Sequence, residues 1–247
     1  MKALIKYFIA GLILGLFPFA FIVYYQNPLY DRPCIQRLPI TPIENELYTV
    51  KQFDITDNTQ GLSKNQIDQH KELYAGYIKK RNEIAQKLQT VNREYAANRT
   101  YSAFRALKIA ETYAINGSLL HELYFENLGG NNTTMGPMAK KLLEKNFGSL
   151  DSYKQDFIDC GGCARGWVIT ALMLDDYSVH NFVLEEHNQH VPVLALPLIV
   201  LDVYEHAYMI DFGIKRDPYL EVFWKNINWN VVEKRIQKWQ TNHFNSR

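Results

Sequence analysis

Two hydrophobic periodicities divide this chain. From residue 63 to about residue 88, apolar positions recur at Ile67, Leu73/Tyr74, Tyr77/Ile78, Ile84 and Leu88, with Lys, Arg and Glu between them. That spacing predicts an amphipathic helix with Ser63 as its N-cap. A second helical run over 102–128 carries Ala106, Ile109, Tyr113, Leu120 and Tyr124 on one side and ends at Gly129-Gly130. Two such helices in succession predict an antiparallel hairpin. Shorter helical patterns follow at 139–147, closed by Gly148, and at 152–160. The period then changes: 167–174 is nearly continuous in apolar residues, 179–184 alternates, and 197–201 is apolar again. These predict three short strands, with Asp175-Asp176 turning between the first two. Helical spacing returns at 218–223 and 230–239. Helices first and a sheet second predict an α+β fold: an N-terminal antiparallel helical hairpin, then a small three-stranded antiparallel sheet flanked by helices.

The N-terminus follows neither rule. No charged residue occurs between Lys6 and Asp31, and residues 7–25 are long and apolar enough to cross a bilayer core of about 30 Å as a helix. Lys2 and Lys6 precede the run, so the positive-inside bias keeps the N-terminus cytoplasmic and sends the rest across. A transmembrane signal anchor over 1–28 is therefore expected, with the folded part extracytoplasmic (periplasmic). The bulky Phe-Ile-Val-Tyr-Tyr exit and the lack of a small-x-small site argue against cleavage; a cleaved, secreted form is the competing reading. Residues 26–57 are Pro-rich, with Pro28, Pro33, Pro39 and Pro42, which suits a stalk over 29–57. Beyond it, 58–137 is expected to form the helical hairpin domain and 138–247 an α/β metal-binding domain.

Composition narrows the classes little. With 247 residues, 47% of them hydrophobic, the chain can bury a sizeable core, and its formal net charge of +1 gives no argument for nucleic acid. The three cysteines are Cys34, Cys160 and Cys163. Cys160-Gly161-Gly162-Cys163 is a C-x-x-C outside the context of a thioredoxin-like or four-ligand zinc motif, so it reads as a run of small residues where a helix passes close to a neighbour.

The chemistry starts at Asp202 and His206, four positions apart after the apolar run 194–201. One carboxylate and one imidazole make half a site for manganese, iron or zinc rather than calcium. Of the other six histidines, only His70 and His121 fall on the apolar faces of the two long helices, His70 with Ile67, Tyr74 and Tyr77, and His121 with Ala114, Gly117, Tyr124 and Phe125. Either alone reads as a hydrogen-bonded core histidine. Together with Asp202 and His206 they complete a set of three histidines and one aspartate. Zinc hydrolysis lacks a free general base beside these ligands.

Several motifs in order then carry a resemblance from about residue 43 to 240. Asp202-Val203-Tyr204-Glu205-His206-Ala207-Tyr208 resembles the D-x-W-E-H-A-Y signature of the iron/manganese superoxide dismutases, with Tyr204 in the Trp place. The run 219–229, Asn116-Gly117-Ser118-Leu119-Leu120-His121, Ile67-Asp68-Gln69-His70 and Gly166-Trp167 are similar to other segments of that family. The resemblance implies His70, His121, Asp202 and His206 as ligands of one iron or manganese ion per chain, iron slightly favoured, and superoxide as substrate. It implies Tyr77 and His187 as catalytic residues that order a proton-supplying water chain. Gly117 with an outer-sphere His187 resembles the mycobacterial-type iron enzymes and some that use either metal; Gln189 is a rival for that place. The family's gateway Tyr would fall by strict spacing on Ile78, one residue past Tyr77. Tyr74 and Met209 stand where two residues usually pair across a dimer interface, and Ile169 replaces a Trp. A homodimer is implied, with Glu205 crossing to the partner's His206. Arg216, with Lys79 or Lys80, is expected to lend a positive funnel. A non-catalytic, membrane-anchored scaffold on the same fold is the rival reading.

Overall fold

Ser63, Ser102 and Ser149 each stand in extended backbone and accept a hydrogen bond from the amide three residues on, which starts three of the helices. In the computed structural model, which describes residues 48–244 apart from 94, 95, 97 and 132, these are α1 (Lys64–Thr90), α2 (Ala103–Asn127) and α4 (Leu150–Cys163). Between them lies α3 (Pro137–Phe147), whose N-cap Gly136 offers no side chain. Glu233 caps it from a distance instead, its two carboxylate oxygens each accepting at 2.9 Å from the amides of Met138 and Ala139. The anchor expected over 7–25, Cys34 and the first part of the stalk lie outside the described residues. No helix among the described residues is long and apolar enough to cross a membrane.

The three strands appear as β1 (Trp167–Met173), β2 (Val179–Leu184) and β3 (Ala195–Asp202), in the order β2-β1-β3 with both pairings antiparallel. β3 starts two residues earlier than its apolar run suggested. The central strand is buried on both faces, which explains why it read as a continuous apolar run and not as an alternation. The turn at Asp175-Asp176 is longer than two residues, with Tyr177 in the left-handed region at φ 62° and Ser178 bonded to Asp176. After β3 come a 3-10 turn (Glu205–Ala207), α5 (Met209–Phe212), α6 (Arg216–Lys225) and α7 (Trp229–Phe244). The α+β order expected from the two periodicities is the order observed.

Two contacts bind the hairpin to the sheet layer. Asn127, the last residue of α2, receives the Val200 amide on its side-chain oxygen at 3.0 Å and so satisfies part of the free edge of β3. Just beyond, Gly130 lies against the backbone of 227–228, where a Cβ would come within 2.2 Å of the Ile227 carbonyl oxygen, so only glycine fits. Residues 48–57, expected as the end of a stalk, are fastened to the hairpin. Tyr48 exchanges two hydrogen bonds with Asn82 and carries the Arg81 guanidinium on its ring. Phe53 packs on Tyr74 and Phe125, and Ile55 is in the core. Proline-rich and aperiodic sequence does not reveal such a strap, because its contacts are all to partners distant in the chain.

The C-x-x-C lies in the last turn of α4. Cys160 and Cys163 are thiols, and burial pushes Cys160 up to about 11, away from reactivity. Gly161 between them faces α6, where a Cβ would come within 2.8 Å of Leu220. Close helix packing, as read from the sequence, accounts for Gly161; beside Gly162 a Cβ would meet nothing within 4 Å.

Candidate metal centre

The antiparallel hairpin brings His70 of α1 and His121 of α2 to the same level, their rings 5.1 Å apart and edge to face. β3 delivers Asp202 at its end, opposite Trp167 in the register with β1. The 3-10 turn then folds His206 back over it. Gln66 fixes this turn, donating to the His206 carbonyl at 2.6 Å and accepting the Ile210 amide at 3.1 Å. Sequence reading passed over Gln66, since a lone Gln on a helix carries no signal. Tyr219 of α6 donates to the Asp202 carbonyl at 2.6 Å and sets the strand end.

The four ligand atoms lie within 4.8 Å of one another. Asp202 uses one oxygen, Oδ1, to accept the Tyr204 amide at 2.9 Å. Oδ2 is left facing the Nε2 atoms of His70, His121 and His206 at 3.2, 3.6 and 3.1 Å. Burial by itself would raise the Asp202 pKa, but the charge of His206 and hydrogen bonds from His206 and His70 outweigh it and hold the carboxyl ionised. Burial drives His70 and His121 the other way, toward neutral imidazoles. His206 is opposed by burial and raised by Asp202.

His121 shows most directly that the site fits a cation. Its Nδ1 lies 2.5 Å from the Gly117 carbonyl oxygen, which only accepts, so Nδ1 carries the proton and Nε2 presents a bare lone pair. That buried atom has no hydrogen-bond partner among the described residues. A neutral imidazole aimed at a carboxylate and two further imidazoles is a poor arrangement for hydrogen bonding and a good one for a metal. Three nitrogens and one oxygen fit one iron or manganese ion.

Around the four, a second group is ordered by hydrogen bonds. His187, fully buried, accepts the Trp167 indole N–H on Nδ1 at 2.9 Å. The indole only donates, so the His187 proton is on Nε2, which lies 2.6 Å from the Tyr77 hydroxyl. Asn116 holds the His187 carbonyl at 2.9 Å, and Asn188 reaches Thr112 at 2.9 Å, pinning the loop after β2 to α2. His187 therefore takes the inner place, while Gln189 is exposed at the wall of a pocket of about 480 Å³ that Tyr77, Lys80, Tyr113 and Glu186 also line. Tyr77, not the core residue Ile78, reaches the centre, stacked on His121 at 5.1 Å.

Of the residues expected at the funnel Lys80 lines the pocket and Arg216 does not, while Tyr74 and Ile169 are both buried. Tyr74 is turned wholly inward, donating to Glu122 and accepting the Lys51 amide, each at 3.1 Å, while Lys51 pairs with Glu122. Arg216 closes the end of α4, donating to the Ala164 carbonyl at 2.6 Å, and Lys80, paired with Glu83, lines the pocket. Ile169 is a core residue of β1.

Burial pushes His187 down to about 4 from 6.5. A base whose folded pKa is lowered takes up a proton on unfolding between those values, so its contribution to stability is lost as pH falls from 6.5 to about 4. In chelator-treated protein, urea titrations over this window are expected to show a smaller decline for His187→Gln than for the parent; parallel declines would show that His187 is not the titrating group.

The fold and the centre define an α+β protein with a cluster of three histidines and one aspartate that fits a single metal ion. Residues 135–235 match the family model for the C-terminal domain of the iron/manganese superoxide dismutases. The chain is 42% identical to the superoxide dismutase [Fe] of Aquifex aeolicus (strain VF5) over 187 residues, covering 73% of this chain and 87% of that protein. Identity is also 42% to the superoxide dismutase [Fe] of Aquifex pyrophilus over 188 residues, covering 73% and 87%. To the superoxide dismutase [Fe] of Cupriavidus metallidurans it is 33% over 180 residues, covering 71% and 89%. The chain belongs to the iron/manganese superoxide dismutase family.

Proposed function

We propose that this protein is a superoxide dismutase, with His70, His121, Asp202 and His206 as ligands of one iron or manganese ion per chain. The observation that carries the reading is the convergence of three buried donors and the half-buried His206 on one point, with the His187–Tyr77 pair beside it. Held by these residues, such an ion would supply the one-electron redox chemistry by which two superoxides and two protons become oxygen and hydrogen peroxide.

The chain's own residues supply order and protons. Trp167 fixes the His187 tautomer, so that Nε2–H donates to Tyr77 Oη and leaves the phenol proton free to be given onward. Burial pushes Tyr77 upward, which keeps it a neutral donor. His187 stays neutral above about pH 4 and adds no charge beside the anionic substrate. Tyr77 lines the pocket, so protons lost there are replaced from solvent. Elemental analysis of the purified chain, together with assay of superoxide consumption, is expected to give about one iron or manganese per chain and activity in proportion to it; a normally folded, metal-free chain refutes the reading.

The same reading includes a homodimer in which Glu205 reaches the partner's His206. Supporting it, Glu205 is exposed, the His206 side chain is 29% exposed, and Met209 and Ile210 beside them are 39% and 44% exposed. It also includes a membrane anchor over residues 7–25 with the catalytic part extracytoplasmic, supported by the uncharged run behind Lys2 and Lys6. Retention in the membrane fraction through high-salt washing and release by detergent is the expected result, and recovery in the soluble fraction would refute the anchor.

A further inference from the structure

The Tyr204 hydroxyl is buried and has no hydrogen-bond partner among the described residues. Its ring is held on three sides: flat on His206 at 5.2 Å and 15°, edge-on to Trp167 at 6.2 Å, and 5.2 Å from His187. Two more phenols crowd the same imidazole, Tyr77 at 4.8 Å and Tyr113 at 4.5 Å. The phenols of Tyr204, Tyr77 and Tyr113 thus surround the His187 ring. Tyr77 and Tyr113, with Glu186, also line the solvent-facing pocket.

A buried hydroxyl with nothing to bond is a cost that native interiors avoid, and a polar recess with two to four partners is where they place water. Tyr204 also stands where the signature has Trp, and an indole donates but does not accept. The tyrosine gives this wall an acceptor as well as a donor. We infer that Tyr204 is a positioning residue of this centre: its hydroxyl, with those of Tyr77 and Tyr113, holds one bound water beside His187 and sets the path by which a proton reaches Tyr77. Each hop along that path breaks one O–H bond and forms another. The proton enters from solvent through the pocket, passes from the water to Tyr77 as Tyr77 gives up its own, and leaves on hydrogen peroxide. No phenol carries a charge between turnovers. The inference rests on the superoxide reading above.

The test uses the full chain loaded with iron or manganese, as Tyr204→Phe, Tyr113→Phe and the double variant. Phenylalanine keeps the ring on His206 and removes one oxygen. Metal content is expected to be unchanged. Turnover at saturating superoxide is expected to fall about tenfold in each single variant, short of the roughly 10²–10⁴ of a group that transfers the proton directly. kcat/KM is expected to hold, and the solvent deuterium effect on kcat to rise. Because both hydroxyls hold the same water, the double variant is expected to be no slower than either single one. Tyr204→Phe is also expected to lower the melting temperature with or without metal, since it removes a bridge. A multiplied loss in the double variant, an unchanged kcat and deuterium effect, or a raised melting temperature would overturn the inference. If the parent consumes superoxide and Tyr204→Phe matches it, the inference alone fails; if the parent holds no iron or manganese, the proposed function fails and the inference with it.

Discussion

Asp202→Asn is expected to leave a folded protein that holds little iron or manganese and consumes almost no superoxide. Asparagine keeps the shape and the oxygen that accepts the Tyr204 amide, so the turn after β3 survives. What it removes is the one negative charge in a pocket of three imidazoles. Oδ2 lies 3.1–3.6 Å from all three Nε2 atoms, and with a neutral amide there the set loses both a donor and its charge balance. Removing a group that only supports a ligand costs about 10–100-fold in metal affinity, so losing a ligand is expected to cost more. The same change withdraws the charge that raises His206, whose titration by NMR in chelator-treated protein should move down. Elemental analysis and activity assay measure the main effect. Metal content equal to the parent's would remove Asp202 from the ligand set.

Gly117→Ala is expected to do comparable damage to turnover while leaving the metal in place. A Cβ there would come within 2.6 Å of Tyr77 Cδ1 and 3.2 Å of His187 Cδ2. His187 cannot yield easily, since Trp167 holds its ring and Asn116 its carbonyl. Tyr77 must therefore move, and the 2.6 Å contact between its hydroxyl and His187 Nε2 breaks. Overpacking of this kind costs about 1–3 kcal/mol of stability. Displacing a positioned group by about 1 Å costs roughly 10²-fold in rate. His121, a proposed ligand, lies one turn away, and its bond to the Gly117 carbonyl does not involve the missing side chain, so metal content is expected to hold. Melting temperature, metal content and turnover together test this. An alanine variant with the parent's turnover and melting temperature would show that the two rings have room to spare.

The four candidate ligands illustrate which parts of the site the sequence carries. Asp202 and His206 are four residues apart, and His70 and His121 sit on apolar helix faces where a polar residue is conspicuous, so local spacing and burial pattern pick them out. Tyr77 is a harder case. Counting along the chain pointed one residue further, to Ile78, but side-chain direction on a helix depends on a rotation of about 100° per residue, and Tyr77 reaches His187. His187 and Gln189 were not separable by counting, because a loop has no period. The bonds from Trp167 and Asn116, 20 and 71 residues away, settle which one turns inward.

By itself the sequence determined the α+β class, the order of helices and strands, the ligand set that the resemblance implies and the uncharged run at its N-terminus. These are encoded locally, in periods of 3.6 and 2 and in short motifs, so they can be read one segment at a time. Only the tertiary structure decided that residues 48–57 strap the hairpin, that Tyr74 turns inward to Glu122, that Arg216 closes a helix, and that Gln66 holds the His206 turn. It also decided that three phenols meet around one imidazole. Each of these joins residues distant in the chain through a hydrogen bond or ring contact of a few ångströms. No local pattern specifies such a contact; it exists only once packing of the core has fixed where the elements lie.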